Sequence, residues 1–177
     1  MNRHEIEETA KQLLVESDAY RIPVPVDMVA YRLGLLTEAA VLDDNTSGIL
    51  LVDNNRGAIG YNSTHAPTRQ RFTIAHEIGH FVLHVKGKDK QRRLFIDKYR
   101  VFFRDGQSSG GVDREEIEAN SFGAALLMPK QLVLDELLKV DFDIDDDDLP
   151  SVLAKRFNVS PIAMSNRLNS LGLIQPE

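Results

Sequence analysis

The chain has 177 residues, 42% apolar and 27% charged, a balance that fits one ordinary domain with a self-sufficient core and excludes wholesale disorder. Its 21 Lys and Arg against 27 Asp and Glu give a formal net charge of −6, which excludes nucleic-acid binding by bulk charge though not by a local basic patch. Cysteine is absent, so disulfides, thiolate metal sites and a cysteine nucleophile are excluded together.

The chain opens on a polar, acidic stretch unlike a signal peptide, and no apolar run approaches a bilayer span, so the expectation is a soluble, cytoplasmic protein with no membrane partner. Ile6, Ala10, Leu13, Leu14 and Val15 recur at helical spacing and predict an amphipathic helix over 3–18. After Pro23 and Pro25 a short apolar helix is expected over Val26–Leu35, with Gly34 as its stop. Ser47–Asp53 and Gly57–Asn62 flank Asn54-Asn55-Arg56 and read as a β-hairpin. One of its strands is expected to take an extended peptide by edge pairing. Pro67 suits the first turn of a helix running to about His84.

Lys86 to Arg104 holds eight Lys and Arg and two acids, with short strands expected at Leu94-Phe95-Ile96 and over 99–103. Such a segregated basic patch either attracts an acidic or phosphate-bearing partner or is simply solvated. Gln107–Gly111 reads as a connector. Asp113–Met128 returns to helical pattern and stops before Pro129, and Lys130–Lys139 is a further helix. Asp141–Asp148 contains six aspartates. It is not a calcium loop, because Asp146 and Val152 stand where such a loop needs Gly and Glu. Leu149–Leu173 reads as helix–turn–helix, with Asn158-Val159 in the turn and Ser160 as the second N-cap. Its second helix offers only Arg167 as a cation, too little for a DNA recognition helix, so nucleic acid is expected to be a weak partner or none.

The chemistry concentrates in Phe72–His84, which contains His76-Glu77-Ile78-Gly79-His80. Residues four apart stack on one helix face, so His76 and His80 can share one metal ion. Glu77 is turned about 100° away, towards a water rather than the metal. Two neutral nitrogen ligands, an open position and a carboxylate to take a proton are what a zinc hydrolase needs. The competing reading is a pair of core histidines with Glu77 at the surface. Against it, Glu77 is the only formally charged side chain between Phe72 and Leu83, and a buried carboxylate needs compensation.

His84 extends the series, but eight residues of helix rise about 12 Å, so it is expected to end the helix or to contact ligands or substrate. Leu83 and Lys86 stand where the extended metzincin pattern needs Gly and His, which excludes that class. The third ligand is sought on the next helix. Its positions 116, 119, 120, 123 and 127 share a face, and Ala119, Gly123 and Gly79 permit close approach. Glu116 is the expected carboxylate ligand, with Glu118 reachable by a modest rotation, and Asn120 is placed to hydrogen-bond a ligand histidine.

Together, Arg71–His84, the Glu116-x-x-Ala-Asn120-x-Phe122 element and Ala125-Leu-Leu-Met-Pro129 resemble the ImmA/IrrE family of metallo-endopeptidases. The Glu-x-x-Ala-Asn element also resembles the ligand helix of other gluzincins, which favours Glu116 over Glu118. The resemblance implies an α+β, compact zincin-like fold, with a small antiparallel sheet packed on the motif helix and a C-terminal helical unit. It implies zinc as cofactor, held by His76, His80 and Glu116, with Glu77 as general base. The implied partner is a protein substrate, a helix–turn–helix repressor, which is cleaved. The alternative is a regulatory module that grips such a protein without cutting it. The expected organisation is a metallopeptidase domain over 1–140, an acidic linker over 141–148 and the helical unit over 149–177. A second oxyanion donor has four unranked candidates: Tyr61, His65, His84 and Tyr99.

Overall fold

The computed structural model describes residues 1–53, 56–86, 93–98, 112–140 and 149–174. Helix α1 (Arg3–Glu16) opens on a capping box: the Asn2 side chain accepts from the Glu5 amide at 2.9 Å, and the Glu5 carboxylate accepts from the Asn2 amide at 3.0 Å. It buries Ile6, Ala10, Leu13 and Leu14. Helix α2 (Val26–Arg32) is shorter than its apolar run, because Gly34, at φ 79°, turns the chain into a strand.

That strand, β1 (Leu35–Ala40), is not foreseen by local propensity. It pairs in parallel with β3 (Arg56–Asn62), from Leu35 against Gly57 to Ala40 against Asn62. Strand β2 (Thr46–Asp53) forms the expected antiparallel hairpin with β3, and β4 (Arg93–Lys98) lies antiparallel on its other side. The expected antiparallel sheet is corrected by the parallel β1–β3 pair, which makes the four-stranded sheet, of order β1-β3-β2-β4, mixed. That order also places both hairpin strands in the interior. The expectation of edge pairing on the hairpin is therefore corrected: its main-chain groups are used by β1 and β4, which form the edges among the described residues.

Helix α3 (Pro67–His80) has proline in its first turn and passes into a π turn over Phe81–Val85. It is the middle layer, with β2 and β3 on one side and α4 (Val112–Leu127) on the other. Helix α1 covers α4. All residues from Thr73 to His80 are buried, as a helix enclosed on two sides requires. Helices α5 (Lys130–Leu137), α6 (Leu149–Phe157) and α7 (Pro161–Ser170) follow. The α6–α7 turn uses Asn158 at φ 53°, and the Ser160 hydroxyl accepts from the Ala163 amide at 3.1 Å. Leu153, Phe157, Met164 and Leu168 join the same apolar core as α1, α3 and α4.

The strand reading over 99–103, the connector 107–111 and the aspartate run lie outside the described residues, as does most of the basic segment.

Candidate metal centre

The site is built where α3 and α4 nearly touch. A Cβ on Gly79 would lie 3.0 Å from the Ala119 carbonyl oxygen and 3.1 Å from its Cα. One on Gly123 would lie 3.2 Å from the backbone nitrogen of His76. Small residues on both helices thus bring the backbones within reach of one another, and side chains at their edges converge.

His76, His80 and Glu116 converge there, with one potential ligand atom from each lying within 4.8 Å of the others. The Nε2 atoms of His76 and His80 are 3.0 Å apart. Glu116 places one carboxylate oxygen 3.3 Å from His76 Nε2 and the other 3.2 Å from His80 Nε2. Burial opposes charge on Glu116, but while His76 and His80 are protonated their hydrogen bonds and charge outweigh it and hold the carboxyl well below the usual carboxylate range.

This donor set fits a metal ion on two grounds. Nitrogen ligands 2.0–2.1 Å from a tetrahedral ion stand about 3.3 Å apart, close to the observed separations. The second ground is proton placement. Asn120 Oδ1 lies 3.1 Å from His76 Nδ1, and an amide oxygen only accepts, so Nδ1 carries the proton and Nε2 presents its lone pair. That lone pair faces a carboxylate, and a shared cation resolves the repulsion. The His80 ring is oriented differently: it stacks on Phe95 of β4, with centroids 5.0 Å apart and planes inclined by 27°.

Glu77 is not one of the three converging residues. It is fully buried on the sheet side of α3, where a Cβ on Gly48 of β2 would come within 2.8 Å of its Oε1 and 2.4 Å of Thr73 Cγ2. Glu118 lies away from the histidine pair that Glu116 meets: it takes a 3.0 Å bond from Arg114 Nε and a contact from the Met1 amino group. His84 is buried, with Nε2 3.3 Å from the Glu115 carbonyl oxygen. Among the other oxyanion candidates, Tyr61 and His65 are half-buried and Tyr99 lies outside the described residues.

Two contributors escape a reading of the sequence. Gly48 is one of several glycines in a strand, and only the packed helix shows why a side chain is not tolerated there. Phe95 sits in a segment legible as a strand, but its place over His80 depends on the pairing of β4 with β2.

Arg167 is also placed by the fold. It is buried, donates from Nε to the Met128 carbonyl at 2.9 Å, and pairs through its terminal nitrogens with Glu7 of α1, one contact at 2.8 Å. The cation of α7 is thus committed to the interior. No described helix is long and apolar enough to cross a membrane.

Fold and site together define an α+β protein with a candidate two-histidine, one-glutamate metal centre between two helices. The profile of the Peptidase M78 family, described as the IrrE N-terminal-like domain, matches residues 30–169, and the chain belongs to that family. It is 25% identical over 150 residues to uncharacterized immunity region protein 2 of Bacillus phage phi105, covering 81% of this chain and 84% of that one. A Mycobacterium tuberculosis transcriptional regulator shares the fold at a TM-score of 0.61 and 18% identity. The alignment covers 94% of this chain and 46% of that structure, so the chain spans about half its length.

Proposed function

We propose that this chain is a zinc-dependent endopeptidase that cleaves a regulatory protein of the helix–turn–helix repressor class. The observation that carries the reading is the convergence of His76, His80 and Glu116 in a peptidase-family chain, with a separate buried carboxylate, Glu77, next to His76. In this reading the two imidazoles and Glu116 hold zinc, and Asn120 fixes the tautomer of His76. Zinc held there would supply Lewis acidity to a water and to the scissile carbonyl. Glu77 takes the proton of the attacking water and returns it to the leaving amine. Gly48 lets the sheet approach closely enough to enclose that carboxylate. The edge strand β4, which carries Phe95 over His80, replaces the hairpin as the element offered to an extended substrate.

Residues 1–140 then form the catalytic unit, 141–148 an acidic link and 149–177 a helical unit that docks substrate. The inward commitment of Arg167 supports docking of protein rather than DNA by α7. The phage immunity-region relative supports a regulatory setting, and action in the cytoplasm is part of the same proposal.

The test is co-expression with the product of a neighbouring regulator gene, followed by intact-mass analysis with and without a zinc chelator. Chelator-sensitive fragments of the regulator support the reading. An intact regulator that co-purifies with the zinc-loaded chain would instead establish the non-cleaving module.

A further inference from the structure

The motif helix does not end at His80. Its last turn, Phe81–Val85, is a π turn, in which the Lys86 amide reaches back five residues to the Phe81 carbonyl at 2.8 Å. Such turns are rare, and they recur at functional sites. The polar side chain placed here is that of His84. The residue is 4% exposed, and its ring lies 5.6 Å, centroid to centroid, from the ring of His80. Its Nε2 is 3.3 Å from the Glu115 carbonyl oxygen and 3.9 Å from the Glu118 carboxylate. A carbonyl only accepts, so Nε2 is the protonated nitrogen.

The Glu115 carbonyl belongs to the peptide bond that joins Glu115 to Glu116. The close contacts of α4 with α3 at Ala119, Phe122 and Gly123 all lie C-terminal to Glu116. Glu116 itself sits in the second turn of α4, near an end where helices fray. We propose that His84 is a positioning residue: by donating to the Glu115 carbonyl it ties the π turn to the start of α4 and fixes the Glu116 carboxylate against His76 and His80. The proposal rests on Glu116 being a metal ligand. It gives His84 a role other than that of oxyanion donor.

The test uses the full chain and zinc itself. Zinc affinity is measured by competition with a chromophoric chelator for His84→Leu, His84→Gln, Glu116→Gln and the double variant His84→Leu/Glu116→Gln. Folding is followed by circular dichroism, and His84→Met replaces the leucine variant should the latter not fold. Gln keeps an N–H near the position of Nε2, and Leu does not. His84→Leu is expected to weaken zinc binding about tenfold or more, the range for residues that orient ligands, whereas His84→Gln stays close to wild type. In the Glu116→Gln background, removing the His84 donor adds little, because the group it positions is already lost. Equal losses in the Leu and Gln variants, additive losses in the double variant, or unchanged affinity with reduced turnover would each overturn the proposal. If Glu116→Gln alone leaves zinc affinity intact, the reading of Glu116 as ligand fails, and the proposal falls with it.

Discussion

Asn120 Oδ1 sits 3.1 Å from His76 Nδ1, one helical turn beyond Glu116 on the same face of α4. One helix therefore brings both a carboxylate to the Nε2 side of the His76 ring and an acceptor to its other nitrogen. Asn120→Ala is expected to weaken zinc binding about 10- to 100-fold, while Asn120→Asp, which keeps an acceptor in place, retains it. Chelator competition on the purified variants measures both. Equal affinity in the Ala variant and wild type would mean that the tautomer of His76 is set some other way.

The glycines on the two sides of α3 make separable predictions. Gly79→Ala drives a methyl against the Ala119 backbone. Overpacking costs about 1–3 kcal/mol, offset by up to about 1 kcal/mol of helix propensity. Displacing α4 also moves Glu116, so zinc affinity should fall with stability. Gly48→Ala instead meets Thr73 and Glu77 on the sheet side. It should destabilise by a similar amount and reduce turnover while leaving zinc bound. Denaturant melts together with zinc content distinguish the two patterns, and loss of zinc in the Gly48 variant would count against the separation of the two faces.

How far the sequence carries the structure depends on how local each cause is. The α3 and α4 helices are legible because their apolar runs, the His76/His80 spacing and the small residues at 79, 119 and 123 each act within a turn or two. The Glu116–Asn120 pair follows from the same periodicity. Strand β1 is not legible: Leu-Leu-Thr-Glu-Ala-Ala has little β-branched content, and its extended state is imposed by the parallel pairing with β3. For the same reason the interior position of the hairpin strands was hidden, since β1 and β4 join the sheet from outside the hairpin. The π turn at Phe81–Val85 continues an ordinary helical sequence, and no residue type in it marks a change of helical register. Phe95 reaches His80 through tertiary pairing alone.

Arg167 links α7 to α1 and to the Met128 carbonyl just after α4. Its replacement by Met strands the Glu7 carboxylate and the Met128 carbonyl. Breaking a buried pair costs about 3–5 kcal/mol, reduced here to about 2–3 because the Glu7 side chain keeps 17% exposure. Thermal unfolding checks this. Fluorescence anisotropy with duplex DNA at physiological salt should show weak or no binding by the wild-type chain. Submicromolar, sequence-selective binding would restore a recognition role for residues 149–173.

The central claim is a division of labour, with His76, His80 and Glu116 holding zinc and Glu77 moving the proton. The most direct measurement is the zinc content of purified Glu77→Gln beside wild type, Glu116→Gln and Glu118→Gln, with cleavage of the co-expressed regulator scored by intact mass. The account predicts about one equivalent of zinc in wild type, Glu77→Gln and Glu118→Gln, a reduced content in Glu116→Gln, and no cleavage by Glu77→Gln. Loss of zinc from Glu77→Gln would make that residue a ligand, and full zinc in Glu116→Gln with loss from Glu118→Gln would move the third ligand along α4. Either result contradicts the account.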